Sequence, residues 1–314
     1  MRVYRVDGSP VGPAVRVPDI TLNGYKVENA RVENAILPNG NVVITRTVYI
    51  ESTDFNGQPY LFDRGFIGIF DSLGNQVVPY FRGDTLSASG DSRYIVYDGI
   101  GADNQGNFTI IITLANEPDL CFQQFYSNGQ KRGGLVRVNA CDIPDLCSLG
   151  VYSPCISMKP NGRFIVSWDH LFSGLRIYNS DGTALTDVIV PSCDDSLPKY
   201  CIDSEPNCVY GFTARTSMDS LGNFIFACNG CDGTSQSGYQ PYIRLFDSLG
   251  TPLTPNITID ELDTSWSTYS APKTALMNDS EYVVVWTDRG NDPGDPLGDV
   301  FLKRYKSGWY AGRN

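Results

Sequence analysis

Short apolar runs recur along the chain, and each follows a polar turn. The copies read Pro38-Asn-Gly-Asn-Val-Val-Ile, Asn104-Gln-Gly-Asn-Phe-Thr-Ile, Pro160-Asn-Gly-Arg-Phe-Ile-Val, Ser220-Leu-Gly-Asn-Phe-Ile-Phe and, without the glycine, Asn278-Asp-Ser-Glu-Tyr-Val-Val-Val-Trp. Because the runs are short and rich in β-branched and aromatic residues, they predict strands that are buried on both faces. No long stretch carries apolar residues at helical spacing, so we expect an all-β chain.

A second pattern follows each run, an aromatic strand that ends in a polar turn with glycine. Its copies are Phe70-Asp-Ser-Leu-Gly, Phe125-Tyr-Ser-Asn-Gly, Tyr178-Asn-Ser-Asp-Gly, Phe246-Asp-Ser-Leu-Gly and Tyr305-Lys-Ser-Gly. The residues before the turn alternate between polar and apolar, as in Leu175-Arg-Ile-Tyr, which predicts a half-exposed outer strand. We expect a positive φ, typical of hairpin turns, at Gly8, Gly74, Gly129, Gly182, Gly250 and Gly308.

Each repeat unit supplies four strands: one before the first turn, the buried run, the aromatic strand, and a last strand after the second glycine. Four antiparallel strands every 53 to 68 residues are typical of a β-propeller blade. We predict a single all-β domain over residues 1–314, a propeller of about five four-stranded antiparallel blades; a β-solenoid and a six-bladed ring are the alternatives. The units span residues 1–20 (a half unit), 30–83, 93–139, 150–191, 210–259 and 270–308.

The two ends of the repeat array do not balance. The half unit carries a third strand and a fourth strand, residues 3–6 and 14–17, whereas the last unit ends at its third strand, residues 300–305. If the amino-terminal fourth strand pairs with the last unit, it closes a five-bladed ring and leaves one third strand over. Because unpaired strand edges favour pairing between chains, the sequence also predicts a homo-oligomer or a polymer.

Composition and charge exclude several classes of function. The 314 residues carry a net charge of −11, which disfavours binding to nucleic acid or to an anionic membrane surface. No apolar run is long enough to span a bilayer, so membrane insertion is not expected. The amino terminus lacks the apolar stretch of a signal peptide, which indicates either a removed leader or a fragment.

All nine cysteines lie between Cys121 and Cys231. The disulfide candidates, most of them in loops rich in Asp, Pro and Ser, are Cys141, Cys147, Cys193, Cys201, Cys228 and Cys231. Such a pattern indicates an oxidising compartment and hence an extracellular or cell-surface location. A zinc site or a redox pair built on Cys228 and Cys231 is the alternative.

The third unit carries the most regular copy of both patterns. It reads Tyr152-Ser-Pro-Cys-Ile-Ser-Met-Lys-Pro-Asn-Gly-Arg-Phe-Ile-Val-Ser-Trp-Asp and, after a short gap, Leu175-Arg-Ile-Tyr-Asn-Ser-Asp-Gly. This unit resembles the propeller-type repeats of secreted or surface bacterial proteins exported by type IX secretion. The resemblance covers roughly residues 30 to 308 and implies a secreted propeller, without implying an activity. The tryptophan of those repeats is present here as Trp168 and Trp286.

The triplet Asp-Ser/Thr-Leu occurs five times and resembles the short O-glycosylation sequon of bacteria that use this export route. The acceptors would be Ser72, Thr85, Ser196, Ser220 and Ser248. The alternative is that the aspartate of Asp-Ser-Leu-Gly caps its own turn. Both interpretations stay open on the sequence, and the first makes the protein a glycoprotein.

An acidic loop follows the last buried run. Its candidate oxygen ligands are Asp288, Asn291, Asp292, Asp295 and Asp299. Oxygen-rich loops can hold calcium, but this spacing matches no EF-hand, so we favour a solvated acidic hairpin. We therefore expect no cofactor, with calcium as the alternative at this loop.

Candidate ligand-binding residues gather at the end of a buried run, where Trp168, Asp169 and His170 are adjacent; Trp286 completes the set. A Ser-His-Asp relay is not expected, because the sequence lacks Gly-x-Ser-x-Gly. Glycosidases use two converging carboxylates, and the sequence offers several without selecting a pair. They include Asp19, Glu28, Glu33, Asp169, Glu205, Asp219 and Asp288.

These observations favour a non-catalytic extracellular propeller with a structural or adhesive role at a surface. It would self-associate or form filaments through its unpaired terminal strands. The first alternative is a lectin-like propeller that binds carbohydrate through loop aromatics. The second is a propeller glycoside hydrolase, which requires converging carboxylates.

Overall fold

A computed structural model describes the strands of the repeat and many of the turns between them. The described residues are 1–5, 7–20, 27–53, 59–83, 95–114, 119–139, 152–169, 174–189, 191, 212–230, 240–259, 272–278, 281–288 and 299–306. Every regular element among them is a β-strand, as the sequence predicted.

The strands form five antiparallel sheets in this part of the chain. Sheet 1 contains β1 (Val27–Ile36), β2 (Val42–Thr53), β3 (Pro59–Phe70) and β4 (Gln76–Phe81). Sheet 2 contains β5 (Ile95–Ala102), β6 (Phe108–Leu114), β7 (Asp119–Phe125) and β8 (Lys131–Arg137). Sheet 3 contains β9 (Tyr152–Met158), β10 (Phe164–Asp169) and β11 (Gly174–Tyr178). Sheet 4 contains β12 (Phe212–Met218), β13 (Phe224–Gly230), β14 (Gln240–Phe246) and β15 (Ile257–Thr258), and sheet 5 contains β16 (Lys273–Asn278), β17 (Glu281–Asp288) and β18 (Asp299–Lys306).

Strand order follows the chain in every sheet, which is the predicted meander. Sheets 1, 2 and 4 have four strands. In sheet 3 the chain beyond β11 contributes two isolated bridges, Leu175 to Ile189 and Tyr178 to Ala184, where the fourth strand was expected.

The chain divides into two compact units. Unit 1 comprises Met1–Ala140 and Pro160–Gly162 and holds sheets 1 and 2, whereas unit 2 comprises Cys141–Lys159 and Arg163–Asn314 and holds sheets 3 to 5. Within each unit the first strands of successive sheets lie against one another: β1 contacts β5 in unit 1, and β12 contacts β9 and β16 in unit 2.

Both kinds of glycine turn have one conformation. Across them φ lies between +82° and +97°, at Gly8, Gly40, Gly74, Gly106, Gly129, Gly162, Gly182, Gly222 and Gly250. In eight of these turns, all but that of Gly162, a hydrogen bond runs from the glycine N–H to the carbonyl three residues earlier, as from Gly74 to Asp71 at 3.0 Å. The predicted positive φ is therefore confirmed at Gly8, Gly74, Gly129, Gly182 and Gly250, and Gly308 lies outside the described residues.

The aromatic positions of the two patterns meet beside these turns. An aromatic residue at the start of the second strand stacks on one at the end of the third strand, with ring centroids 5.0 to 5.1 Å apart. The stacked pairs are Phe108 and Phe125, Phe164 and Tyr178, Phe224 and Phe246, and Tyr282 and Tyr305. Two separate sequence patterns are thus joined by one contact that recurs in four sheets.

The third strands are more buried than their alternation predicted. Arg244 in β14 is only 6% exposed. Its guanidinium lies over the Phe246 ring at 5.7 Å, and its Nε donates to the Thr254 carbonyl at 3.1 Å. The prediction of a half-exposed outer strand is wrong here, because the segment after the glycine turn covers the strand and supplies an acceptor for the buried guanidinium.

The amino-terminal half unit packs on sheet 1. Its two segments pair with each other, since the N–H of Val11 donates to the Val3 carbonyl and that of Val15 to the Met1 carbonyl, both at 2.8 Å. Met1, Val3 and Val17 then pack against a buried cluster that contains Phe70. Pairing of its fourth strand with the last unit stays a prediction.

Candidate functional site

A β-bulge interrupts the first strand of sheets 1 to 4. The extra residue is Ala30 in β1 and Asp98 in β5. In sheet 1 the bulge shifts the register, so that Glu28 is opposite Tyr49 while Arg31 is opposite Thr47. Residues that are three apart in β1 therefore align with positions that are two apart in β2, which share one face.

Two rows of residues cross sheet 1 at this point. One row aligns Glu28, Tyr49 and Asp63, and the next aligns Arg31, Thr47 and Gly65. Adjacent strands are about 4.8 Å apart, so the backbones of Glu28 and Asp63 lie roughly 10 Å apart on either side of Tyr49. Tyr49 is 40% exposed.

Arg31 connects these rows to sheet 2. Its Nη1 donates to Oδ1 of Asp98, and the Thr113 hydroxyl donates to Oδ2 at 2.6 Å. The Asp98 side chain is 3% exposed, whereas that of Arg31 is 57% exposed. A buried carboxylate therefore anchors a guanidinium that otherwise faces solvent.

Asp63 is the second acid whose side chain is described here. Its Oδ1 is buried without a hydrogen-bond partner. Burial raises the pKa of this carboxyl above its ordinary 3.8, and the charges of Arg31 and Arg64 offset part of that rise. Asp63 consequently keeps its proton to a higher pH than an exposed aspartate does.

Tyr97 closes the cluster on the side of sheet 2. Its N–H donates to Oγ1 of Thr47 at 2.9 Å, and its hydroxyl accepts the N–H of Gly83 at 2.8 Å. The ring covers Gly65 so closely that an added Cβ would lie 2.3 Å from it.

We name the set Glu28, Arg31, Tyr49, Asp63 and Asp98 the sheet 1 site.

Sequence reasoning named only Glu28 of this set and missed the other four members. A signal was present in β3, where Asp63 and Arg64 interrupt an otherwise apolar and aromatic strand. Charges inside such a strand require partners or a function. The bulges that align the cluster have no such signature, because the residue type of neither Ala30 nor Asp98 marks it as the extra residue of a strand.

The predicted ligand-binding tryptophans are both 6% exposed. Trp168 packs over Gly174, where a Cβ would lie 2.6 Å from the indole ring, and Trp286 stacks on Phe301 with ring centroids 5.8 Å apart. They lie in the core, and a role in binding stays a prediction. Of the same set, Asp169 ends β10, and His170 lies outside the described residues.

The aspartates of Asp-Ser-Leu-Gly act in their own turns. Asp219 is 6% exposed, and its carboxylate accepts the backbone N–H and the side-chain amide of Asn223 at 2.8 and 2.9 Å. Asp71 and Asp247 accept the corresponding N–H groups in their turns. The capping interpretation is confirmed at these three turns. Glycosylation at Ser72, Ser220 and Ser248 stays a prediction, and Thr85 and Ser196 lie outside the described residues.

Asp19 lines a cavity of about 820 Å³ between the half unit and the first two strands of sheet 1. It pairs with Arg16 at 2.7 Å and is 62% exposed. The cavity wall includes the apolar residues Val32 and Ile36, and the described residues place no second carboxylate on it. Asp19 is therefore a poor candidate for a catalytic pair.

The remaining predictions concern metals, disulfides and membranes. Among the described residues, no three His, Cys, Asp or Glu side chains come together as a metal site, and no helix is long and apolar enough to cross a membrane. Asp288 and Asp299 pair at the base of the acidic hairpin. Cys228 lies in β13. The rest of the predicted calcium and disulfide residues lie outside the described part, namely Asn291, Asp292, Asp295, Cys141, Cys147, Cys193, Cys201 and Cys231.

Comparison with known proteins identifies a fold class. No protein-family model matches the sequence, and no curated protein is significantly similar to it. A protein of unknown function from Dyadobacter fermentans is similar in structure, with a TM-score of 0.53 and 8% identity over 88% of this chain and 75% of that one. An α-L-arabinanase of Penicillium chrysogenum, solved with arabinobiose, gives a TM-score of 0.51 and 13% identity over 86% of this chain and 79% of that one. At such identities the likeness concerns the fold alone, and the chain has the predicted all-β fold of the β-propeller class.

Proposed function

We propose that the protein is a carbohydrate-active propeller that hydrolyses glycosidic bonds at the sheet 1 site. One observation carries this proposal: the row of Glu28, Tyr49 and Asp63, in which two acids flank an exposed aromatic residue. Glycoside hydrolysis needs two carboxyl groups about 5 to 10 Å apart. Strand spacing puts the two backbones roughly 10 Å apart in one row of the sheet, which allows their carboxyl groups to lie within that range.

Asp63 is suited to the role of general acid. A general acid must still hold its proton at the working pH, and burial raises the pKa of Asp63 in that direction. Its proton passes to the glycosidic oxygen as the bond from that oxygen to the anomeric carbon breaks. Its buried Oδ1 has no hydrogen-bond partner that would stabilise the charged form.

Glu28 is the proposed second carboxylate. It takes the proton of the water that attacks the anomeric carbon, or it attacks that carbon itself and is released by water in a second step. Tyr49, 40% exposed between the two acids, supplies a ring on which a sugar can stack. In this proposal Asp63 donates the proton, Glu28 activates the water or attacks the anomeric carbon, and Tyr49 orients the sugar.

The fold class supports a hydrolase over the non-catalytic role that the sequence favoured. The Penicillium protein is an α-L-arabinanase and was solved with arabinobiose, so the class carries glycosidase chemistry elsewhere. An extracellular location would suit a polymeric glycan substrate. Type IX export, O-glycosylation and self-association stay proposals beside this one.

The test is turnover of a polysaccharide panel that includes arabinan, xylan, galactan, polygalacturonate and glucuronoxylan, read as new reducing ends. We expect one polymer to be cleaved, and Glu28→Gln and Asp63→Asn each to abolish the cleavage. Asp19→Asn is the matched control, since Asp19 is an acid of unit 1 outside the site. Binding of a polymer without any turnover would favour the lectin-like alternative and overturn hydrolysis.

A further inference from the structure

We propose that the sheet 1 site takes acidic glycans and that Arg31 binds a carboxylate of the substrate. The inference rests on the proposed function and adds the class of substrate to it. Polysaccharides that contain uronic acids or other carboxylated sugars belong to this class, and their neutral counterparts do not.

The anchoring of Arg31 carries the inference. One nitrogen, Nη1, is bonded to Asp98, and the side chain remains 57% exposed. Asp98 is itself fixed by the Thr113 hydroxyl at 2.6 Å. The guanidinium is thus tethered at one nitrogen while much of the side chain faces solvent, and a planar guanidinium matches the two oxygens of a carboxylate.

Burial of Asp98 supports a functional purpose for this pair. A carboxylate that is 3% exposed is unfavourable unless it is paired, and such pairs contribute little to stability by comparison with apolar residues. Asp98 is moreover the extra residue of the bulge in β5, the strand that contacts β1. The bulge therefore directs a buried acid at an exposed cation of the next sheet.

A bound carboxylate would also act on Asp63. The charged or titratable groups around Asp63 are Arg31 and, by register, Glu28 on β1, Tyr49 on β2, Arg64 on β3 and Asp98 on β5. Arg31 lowers the pKa of Asp63. A substrate carboxylate that neutralises Arg31 removes this effect, so the pKa of Asp63 rises when an acidic glycan binds, and the general acid keeps its proton.

The experiment compares each acidic polymer with its own neutral form. Polygalacturonate and glucuronoxylan are used beside the products of their carboxyl reduction, and both binding by calorimetry and new reducing ends are measured. We expect the carboxylated form to bind about 10- to 100-fold more tightly, the range of one or two hydrogen bonds to a charged group. Calorimetry in buffers of different ionisation enthalpy should show proton uptake with the carboxylated form alone.

Three substitutions assign the preference to Arg31. Arg31→Gln should remove both the preference and the proton uptake, and Arg31→Lys should restore part of the preference, because it keeps the charge without the planar fork. Asp98→Asn tests the anchor and should weaken the preference while leaving the guanidinium in place. Arg304→Gln is the matched control, since Arg304 is 54% exposed and pairs with Glu281 in sheet 5.

The outcomes separate this inference from the proposed function. Cleavage of neutral forms alone, or equal binding of both forms with no effect of Arg31→Gln, overturns the substrate class and leaves hydrolysis standing. Selective binding of carboxylated forms without cleavage supports the role of Arg31 and overturns hydrolysis. Failure of both polymers to bind in either form overturns the role of Arg31.

Discussion

The two ends of the sheets are built in opposite ways. At the glycine-turn end the same arrangement recurs, with a left-handed glycine, a capping residue and, in four sheets, a stacked aromatic pair. At the other end the sheets differ. Sheet 1 has 12-residue strands β2 and β3, whereas β6 and β7 of sheet 2 have seven residues each.

This difference separates the repeated scaffold from the proposed site. The turns satisfy their own backbone groups by local hydrogen bonds, so they can be repeated without regard to their neighbours. The long strands of sheet 1 continue beyond that regular part, and Tyr49 and Asp63 lie on the continuation. Variation at this end changes the site while the repeated end keeps the fold.

The largest expected effect is on catalysis at the varied end. Asp63→Asn should lower kcat/KM about 100- to 10,000-fold, because the amide cannot donate the proton of a general acid. The same change should leave the folded structure intact, since the amide has the shape of the carboxyl. Reducing-end release on the cleaved polymer measures the loss.

Asp219→Asn is the counterpart at the turn end, and we expect it to keep activity. If Asp219→Asn reduced kcat/KM as strongly as Asp63→Asn at equal protein stability, chemistry would not be confined to one end of the sheets.

A steric change where the site meets sheet 2 should have the next largest effect. Gly65→Ala would place a Cβ 2.3 Å from the buried Tyr97 ring, whose hydroxyl accepts a hydrogen bond from the Gly83 N–H. We expect a loss of about 3 kcal/mol in the free energy of unfolding. Gly134→Ala in β8 is the control, because a Cβ there meets nothing within 4 Å. Urea denaturation measures both, and equal midpoints would contradict the packing described here.

A cap removal should have a smaller effect. Asp219→Ala removes a buried acceptor of two hydrogen bonds from Asn223, so the free energy of unfolding should fall by about 2 kcal/mol. Asp71→Ala removes the same kind of cap at an exposed turn and should be milder, because water replaces the lost acceptor. Thermal unfolding of the two variants ranks them, and the reverse order would show that burial does not set the strength of the cap.

The smallest effect is a pH dependence of opposite sign at the two ends. The pKa of Asp63 is raised by burial, so its contribution to stability is lost as pH rises above 3.8. The pKa of Asp71 is lowered by hydrogen bonds from the Asn75 side chain and backbone, so its contribution is lost as pH falls below 3.8.

Denaturation of Asp63→Asn and Asp71→Asn beside the unchanged protein, from about pH 3 to pH 7, separates the two contributions. If the contributions of Asp63 and Asp71 to the free energy of unfolding changed with pH in the same direction, the two ends would not differ in this respect.

The repeated end was predictable from sequence and the site was not. Glycine at the turns and the aromatic residues beside them act through contacts a few residues away or across one hairpin, so pattern alone identified them. The pairing of Arg31 with Asp98 joins strands from two sheets, and Tyr49 is 40% exposed although Val48 and Ile50 beside it are buried. Such features follow from tertiary packing, and the residues next to them in the sequence do not predict that packing.

The bulge at Ala30 has a consequence for how such repeats diversify. The bulge absorbs the extra residue, so Glu28 and Arg31 lie on one face although they are three residues apart. A single-codon insertion or deletion at a bulge can therefore be accommodated without inverting the rows on either side and without touching the turns that hold the sheet. The bulges of sheets 3 and 4, between Tyr152 and Cys155 and between Phe212 and Arg215, are the places to graft a new specificity onto this scaffold.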